Sequence, residues 1–204
     1  FFEEGNLSEE EMREGLHRAI QDQVFIPVFC TTATQNIGTA RLMDFISKYG
    51  SSPVDRATIQ AENANSGETI EVALDGSAPV VHVFKTISEA HVGELSFFRV
   101  YSGQLESGAT ILNTGTGRKE RIGRLLLMHA DKREERKKVS AGEIAAAVGL
   151  KQTRTGHTLS DPAAPIVLEE MEFQKPVISV SIEASSKAEQ DNLSESLAKL
   201  SDES

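Results

Sequence analysis

The densest chemistry in the sequence is cationic. Residues 118–138, RKERIGRLLLMHADKREERKK, carry nine basic side chains (Arg118, Lys119, Arg121, Arg124, Lys132, Arg133, Arg136, Lys137, Lys138) against four acidic ones (Glu120, Asp131, Glu134, Glu135). The local balance is +5 in a chain of net charge -10, so the remainder carries -15. Lysine and arginine that displace counterions supply most sequence-independent affinity for nucleic acid, which makes the strip a candidate phosphate-facing surface. The competing reading is a solvated segment with ion pairs inside KREERKK, and charge alone divides the two evenly. The apolar run Leu125 to Met128 should form a buried strand with both charged ends projecting. Arg118, Lys119, Arg121, Lys132 and Arg133 are the candidate RNA contacts, and they meet at one rim only if the chain doubles back in the neighbouring hairpin.

Other chemistry is sparse. The sequence contains no Gly-x-x-x-x-Gly-Lys-Ser/Thr loop to cradle nucleotide phosphates. His17, His82, His91, His129 and His157 show no metal-ligand spacing, so each is read as structural or solvated and no metal site is expected. Cys30 has no cysteine neighbour and no base in view, which favours a buried thiol over a nucleophile. The glycines of GTGRKERIG miss the dinucleotide fingerprint, and NTGTG reads as a hairpin turn. With no carboxylate pair or triad either, no catalytic residue is assigned.

The elements that would position the strip follow from periodicity. In GELSFFRVYSGQLESGATILN, Leu95 and Phe97 fall on one face of an extended chain, with Phe98 and Val100 on the other. Apolar bulk on both faces implies a bulge, or a barrel strand whose outer side is covered. Ser102-Gly103 and Ser107-Gly108 are turn dipeptides that hold Leu105 as an apolar peg between two reversals. Strands are expected near 79–86, 93–102, 109–113, 118–129, 143–150 and 164–170, the spacing of a small barrel or sandwich.

The flanks have a different texture. Ser8 with Glu11 forms a capping box ahead of a helix carrying Met12, Leu16, Ala19 and Ile20. Residues 24–30 read as a buried strand, and Leu42, Ile46 and Tyr49 line a second helix ended by Gly50 and Pro53. Residues 54–77 read as a linker or irregular loop. After Pro176, VISVSIE alternates as a strand should, and Ser186 with Glu189 caps a helix with Leu193, Leu197 and Leu200 on one stripe. The fold class is therefore mainly β, a barrel flanked by an α/β remnant and a truncated βα unit.

Bulk properties suit a soluble globular chain: 204 residues, 39% hydrophobic, and no run near the roughly 18 apolar residues of a membrane span. One cysteine suits a reducing, cytoplasmic compartment. The start at Phe1 and the polar end at Ser204 point to a piece of something longer.

RVYSGQLESG resembles the turn signature Arg-x-x-x-Gly-x-Leu-x-x-Gly of the β-barrel that follows the GTPase domain in translational GTPases. LLLMHADKREE, GEIAAAVGLKQTRTG and EEMEFQKPVISVSIE narrow the resemblance to elongation factor G and its close paralogs, over roughly residues 78–200. In the opening part, PVFCTTATQNIG resembles the family's last guanine-binding loop, with Thr32-Ala33 where Ser-Ala is usual. The resemblance implies the carboxyl end of a GTPase domain at 1–52, barrel domain II at 53–172 and the start of a ferredoxin-like domain III at 173–204.

For the intact parent it implies GTP and magnesium as cofactors, hydrolysis on the ribosome, and movement of transfer and messenger RNA. The barrel's partners would be the ribosome, its small-subunit RNA and the remaining domains of the same protein, with no membrane. For this chain, Thr32 and Ala33 are a remnant guanine contact, no cofactor is expected, and no hydrolysis is expected without the phosphate loop. Thr155-Gly156-His157-Thr158 stands where the family has Thr-Gly-Asp-Thr, and YGSSP replaces YLPSP at Tyr49, marks of a divergent paralog. A recycling factor, a ribosomal-protection protein and a protein-interaction adaptor remain the alternatives to the translocase.

Overall fold

A computed structural model of the chain describes residues 5–89, 93–130, 132–169, 171 and 176–203. It divides into two units, residues 1–55 and 56–204. His91, Asp131 and the end of the expected 164–170 strand at Glu170 lie outside the described residues.

The first unit holds two helices, α1 (Glu9–Gln21) and α2 (Thr39–Tyr49). The Ser8 hydroxyl accepts from Glu11 N at 3.3 Å while the Glu11 carboxylate accepts from Ser8 N at 2.8 Å, the reciprocal cap expected from the sequence. His17 on α1 ties the helices together, its Nδ1 lying 3.3 Å from Tyr49 O and its Nε2 3.2 Å from Asp55. Residues 24–30 form no strand, contrary to the sequence reading: Val24, Ile26 and Val28 are 78%, 80% and 87% exposed, and Cys30 is exposed as well. A strand exists only through a neighbouring ladder. No described residue supplies one here beyond the isolated Thr32–Ile37 bridge.

The second unit begins with a hairpin where a linker was expected. β1 (Thr58–Asn63) and β2 (Thr69–Ala73) pair from Thr58↔Ala73 to Glu62↔Thr69, and Asn63 Oδ1 accepts from Asn65 N and Ser66 N to close the turn. Ile59, Ala61, Ile70 and Val72 alternate with polar residues and share a small apolar cluster with Val80, Tyr101, Ile166 and Leu168. The polar half of that alternation hid the strands.

The remaining strands are β3 (Val80–Glu89), β4 (Gly93–Ser102), β5 (Gln104–Glu106), β6 (Thr110–Asn113), β7 (Arg118–Arg121), β8 (Leu125–His129), β9 (Lys132–Arg136), β10 (Lys138–Ser140), β11 (Ile144–Val148), β12 (Thr158–Ser160) and β13 (Ile166–Val167). Eight of them run in the order β7-β6-β12-β3-β4-β11-β8-β9, β5 pairs β10, and β13 adds to β1. β7 and β8 are one ribbon bent at residues 122–124, where a Cβ on Gly123 would stand 2.2 Å from Val148 O. The first half pairs with β6 and the second with β11, so the sheet closes on itself. The single strand expected over 118–129 is thus two, because that close approach requires a glycine and a kink.

Val81, Val83, Phe98, Val100, Leu105, Ile111, Ile122, Leu125 and Leu159 fill the barrel. Leu95 and Phe97 pack outside it with Ile87, Leu126, Ala146 and Met128, as the period of two requires. The bulge invoked by Phe97-Phe98 lies on the partner strand: Val83 faces Phe98 and Lys85 faces Phe97, leaving Phe84 as the extra residue. Leu105 is 1% exposed on β5, opposite Val139. Gly103 precedes it at φ +64°, and a Cβ there would meet Ala78 O at 2.6 Å.

Residues 177–183 also form no strand, with Val177 and Val180 96% and 85% exposed. The alternation is present, but no described strand lies beside it. Helix α3 (Lys187–Glu203) follows, capped by Ser186 Oγ, which accepts from Glu189 N at 3.3 Å, and it lies beside β3.

Candidate functional site

The bent β7–β8 ribbon and the returning β9 carry the basic strip. β8 and β9 pair from Leu125↔Arg136 to His129↔Lys132, so the chain does double back. The doubling brings the wrong end home. Lys132 and Arg133 stand opposite His129 and Met128, ten residues and ~30 Å of extended chain from Arg118 and Lys119. The end of the hairpin that returns toward β7 carries Arg136 and Lys137. Ser107 N donates to Lys137 O at 2.9 Å, Ser107 Oγ donates to Gly123 O at 2.8 Å, and Arg121 Nε reaches Gly108 O at 3.3 Å. Arg121, Arg124, Arg136 and Lys137 therefore cluster around the Ser107-Gly108 turn.

Period two divides the strip again. Arg118 and Glu120 face one side of β7, and Lys119 and Arg121 face the other. Arg118 Nη1 donates to Gln152 Oε1, 34 residues downstream, at 3.0 Å, which brings the loop carrying Lys151 and Arg154 beside β7. Arg133 is paired with Glu89, and Arg136 with Glu134 at 3.1 Å. The ion pairing foreseen inside KREERKK thus occurs at Arg136, while Lys119 and Lys132 are exposed. Three cationic groups result: Arg118 with the 151–154 loop, Arg121 with Arg124 and Lys137, and Lys132 with Arg133.

A polar network beneath the first group was not legible from charge. Asn113 is fully buried; its Oδ1 accepts from Thr116 N at 3.2 Å, which fixes Nδ2 toward Thr153 Oγ1 and His157 Nδ1, each at 3.1 Å. Thr153 Oγ1 in turn donates to Glu120 Oε1 at 2.6 Å, and Glu120 Oε2 accepts from Gln152 N at 3.0 Å. Glu120 is the acid embedded in the basic strip, and its spacing from Asn113 across the NTGTG turn was the available signal.

Thr32 and Ala33 sit in a tight turn before α2. Thr32 N donates to Ile37 O at 3.0 Å and Thr32 Oγ1 accepts from Gln35 N at 3.3 Å, so Thr32's amide is committed within the turn. With that amide engaged and no phosphate loop in the sequence, the chain's own residues do not fit a complete guanine nucleotide site. Among the described residues no group of three His, Cys, Asp or Glu could hold a metal ion, and no helix is long and apolar enough to cross a membrane.

A cleft in the second unit is lined by Ile59, Gln60, His82, Tyr101, Leu168, Glu169 and Met171. Arg99 lies over the Tyr101 ring at 5.4 Å. Burial holds the His82 imidazole below its ordinary pKa, and its Nδ1 lacks a hydrogen-bond partner among the described residues.

Residues 93–160 match the family described as Elongation factor Tu domain 2. The chain is also similar in fold to a crystal structure of a protein from Thermus thermophilus, with a TM-score of 0.77 and 21% identity over 99% of this chain. It spans 28% of that protein's length. The matched segment runs from β4 to β12, the greater part of the closed barrel with its bent ribbon. Over residues 93–160 the barrel is thus similar to elongation factor Tu domain 2, and the chain shares its fold with part of the Thermus thermophilus protein.

Proposed function

We propose that the chain is the ribosome-docking and domain-coupling part of a translocation GTPase of the elongation factor G kind, working in the cytoplasm. The observation that carries this reading is the elongation factor Tu domain 2 match on the barrel that bears the basic residues. In the intact protein, GTP and magnesium would be held by the GTPase domain, and this chain would contribute position and contact. The barrel presents cations at three places, and each suits a phosphate of folded small-subunit RNA.

Cosedimentation of the chain with small ribosomal subunits across a salt series tests the reading. Log affinity should fall linearly with log salt, at a slope of about -0.7 to -0.9 per phosphate neutralised. Replacing Arg118, Lys119, Arg121, Lys132 and Arg133 together by glutamine should weaken binding and flatten the slope while the barrel stays folded. Unchanged affinity and slope in that variant would remove the basic strip from the contact.

A further inference from the structure

His157 sits where two N–H donors converge. Arg154 N donates to its Nδ1 at 3.1 Å, and Asn113 Nδ2 approaches the same nitrogen at 3.1 Å. A backbone amide can only donate, so Nδ1 is the bare nitrogen and the proton is on Nε2. The ring thereby joins three elements: the 151–156 loop that carries Arg154, strand β6 through Asn113, and β12, which His157 precedes directly.

We propose that His157 is a proton-sensitive latch, fastening the 151–156 loop to the β6–β7 turn when neutral and releasing it when Nδ1 takes up a proton. A proton on Nδ1 turns the acceptor into a donor that faces two other donors. Rotation of the Asn113 amide does not rescue the arrangement. It would offer Oδ1 to the imidazolium, but Thr116 N would lose its acceptor, and Thr153 Oγ1, already donating to Glu120, would lose its donor. Arg154 N would still face a proton. Because Gln152 and Thr153 belong to the same loop, its release also loosens the Arg118–Gln152 contact and the support of Glu120.

Among the described residues, charged and titratable groups approach the ring from β7, the 151–156 loop and β3. Glu120 faces the cluster from β7, with its oxygens taken by Thr153 Oγ1 and Gln152 N. Arg118 comes from the same strand, Lys151 and Arg154 from the loop itself, and His82 from β3, where it pairs with Thr158. Burial holds His82 below its ordinary pKa; its Nδ1 makes no hydrogen bond to either donor, and variants at position 157 leave it in place.

Amide hydrogen exchange on the full chain, corrected for intrinsic rates, is measured from pH 8 to 5.5 alongside the ring resonances of each histidine. Protection at Arg154 and Gln152 should fall about tenfold or more, with the midpoint of the His157 ring titration, while Val100, bonded to Glu143 O in the barrel, keeps its protection. His157→Asp and His157→Asn retain an acceptor that stays unprotonated throughout, so either variant should hold Arg154 protection constant. The latch is overturned if His157 titrates without any change at Arg154, if the variants lose protection as the parent does, or if the ring does not titrate above pH 5.5.

Discussion

Phe97 and Phe98 are neighbours in sequence and belong to different apolar clusters: Phe98 is fully buried inside the barrel, and Phe97 packs partly covered on its outer wall. The Phe84 bulge on β3 lets the ladder resume between them. Their burial sets unequal costs. Phe98→Ala should destabilise the chain by about 3–5 kcal/mol, and Phe97→Ala by about 1–2 kcal/mol. Urea unfolding of the two variants checks this, and equal losses would contradict the two-cluster arrangement.

Backbone conformation and steric clash separate at two glycines. Gly103→Ala meets Ala78 O at 2.6 Å as well as a left-handed φ of +64°. Gly117→Ala has a similar φ of +69° and nothing within 4 Å. The second variant should lose about 1 kcal/mol from backbone strain alone, and the first distinctly more. Matching melting temperatures for the pair would show that the turn at Gly103 shifts freely.

The burial of His82 makes stability depend on pH with a definite sign. Its folded pKa lies below the ordinary histidine value of 6.5, so between the two values the unfolded chain binds more protons than the folded one. The contribution is complete above about pH 6.5 and is lost as pH falls through the folded value. His82→Gln should flatten the decline in urea midpoint between pH 7 and 5. A decline as steep as the parent's would assign it to other groups.

Position on the barrel rather than net charge should govern contact with RNA. The Arg118, Lys151 and Arg154 set and the Lys132 and Arg133 set lie at opposite ends of the β7–β8 ribbon, so glutamine replacements in the two should act independently. Each set should reduce the salt slope by about one unit per lost phosphate contact. Filter binding to small-subunit RNA measures both, and strong coupling between the sets would mean they meet on one patch.

Guanine nucleotide should bind this chain weakly at best, since the committed Thr32 amide leaves little for a base and nothing holds the phosphates. Calorimetry should register no micromolar affinity for GTP.

The barrel strands were legible where apolar residues alternate inside one segment, as in Leu95 to Val100. β5, β9, β10 and β12 were not, because their identity lies in the partner: Lys132 to Arg136 are all exposed and become a strand only through pairing with β8. The converse held at Val24 to Val28 and Val177 to Ile182, where strand-like sequence lacks a described ladder. The cationic residues themselves were visible from composition. Their division into three groups depends on the bend at Gly123 and on the Arg118–Gln152 contact, which sequence spacing does not encode.

The order β6-β12-β3 places a strand ending at Ser160 between two that end at Asn113 and Glu89. During synthesis, β3 and β6 therefore wait with bare edges until residues 158–160 have emerged and inserted between them. The closing step joins Leu159 to Asn113, 46 residues away, and to Val81, 78 residues away, a non-local pairing of the kind that folds slowly. A nascent chain halted before Thr158 would display two open edges to its neighbours, and a chain three residues longer would hide both.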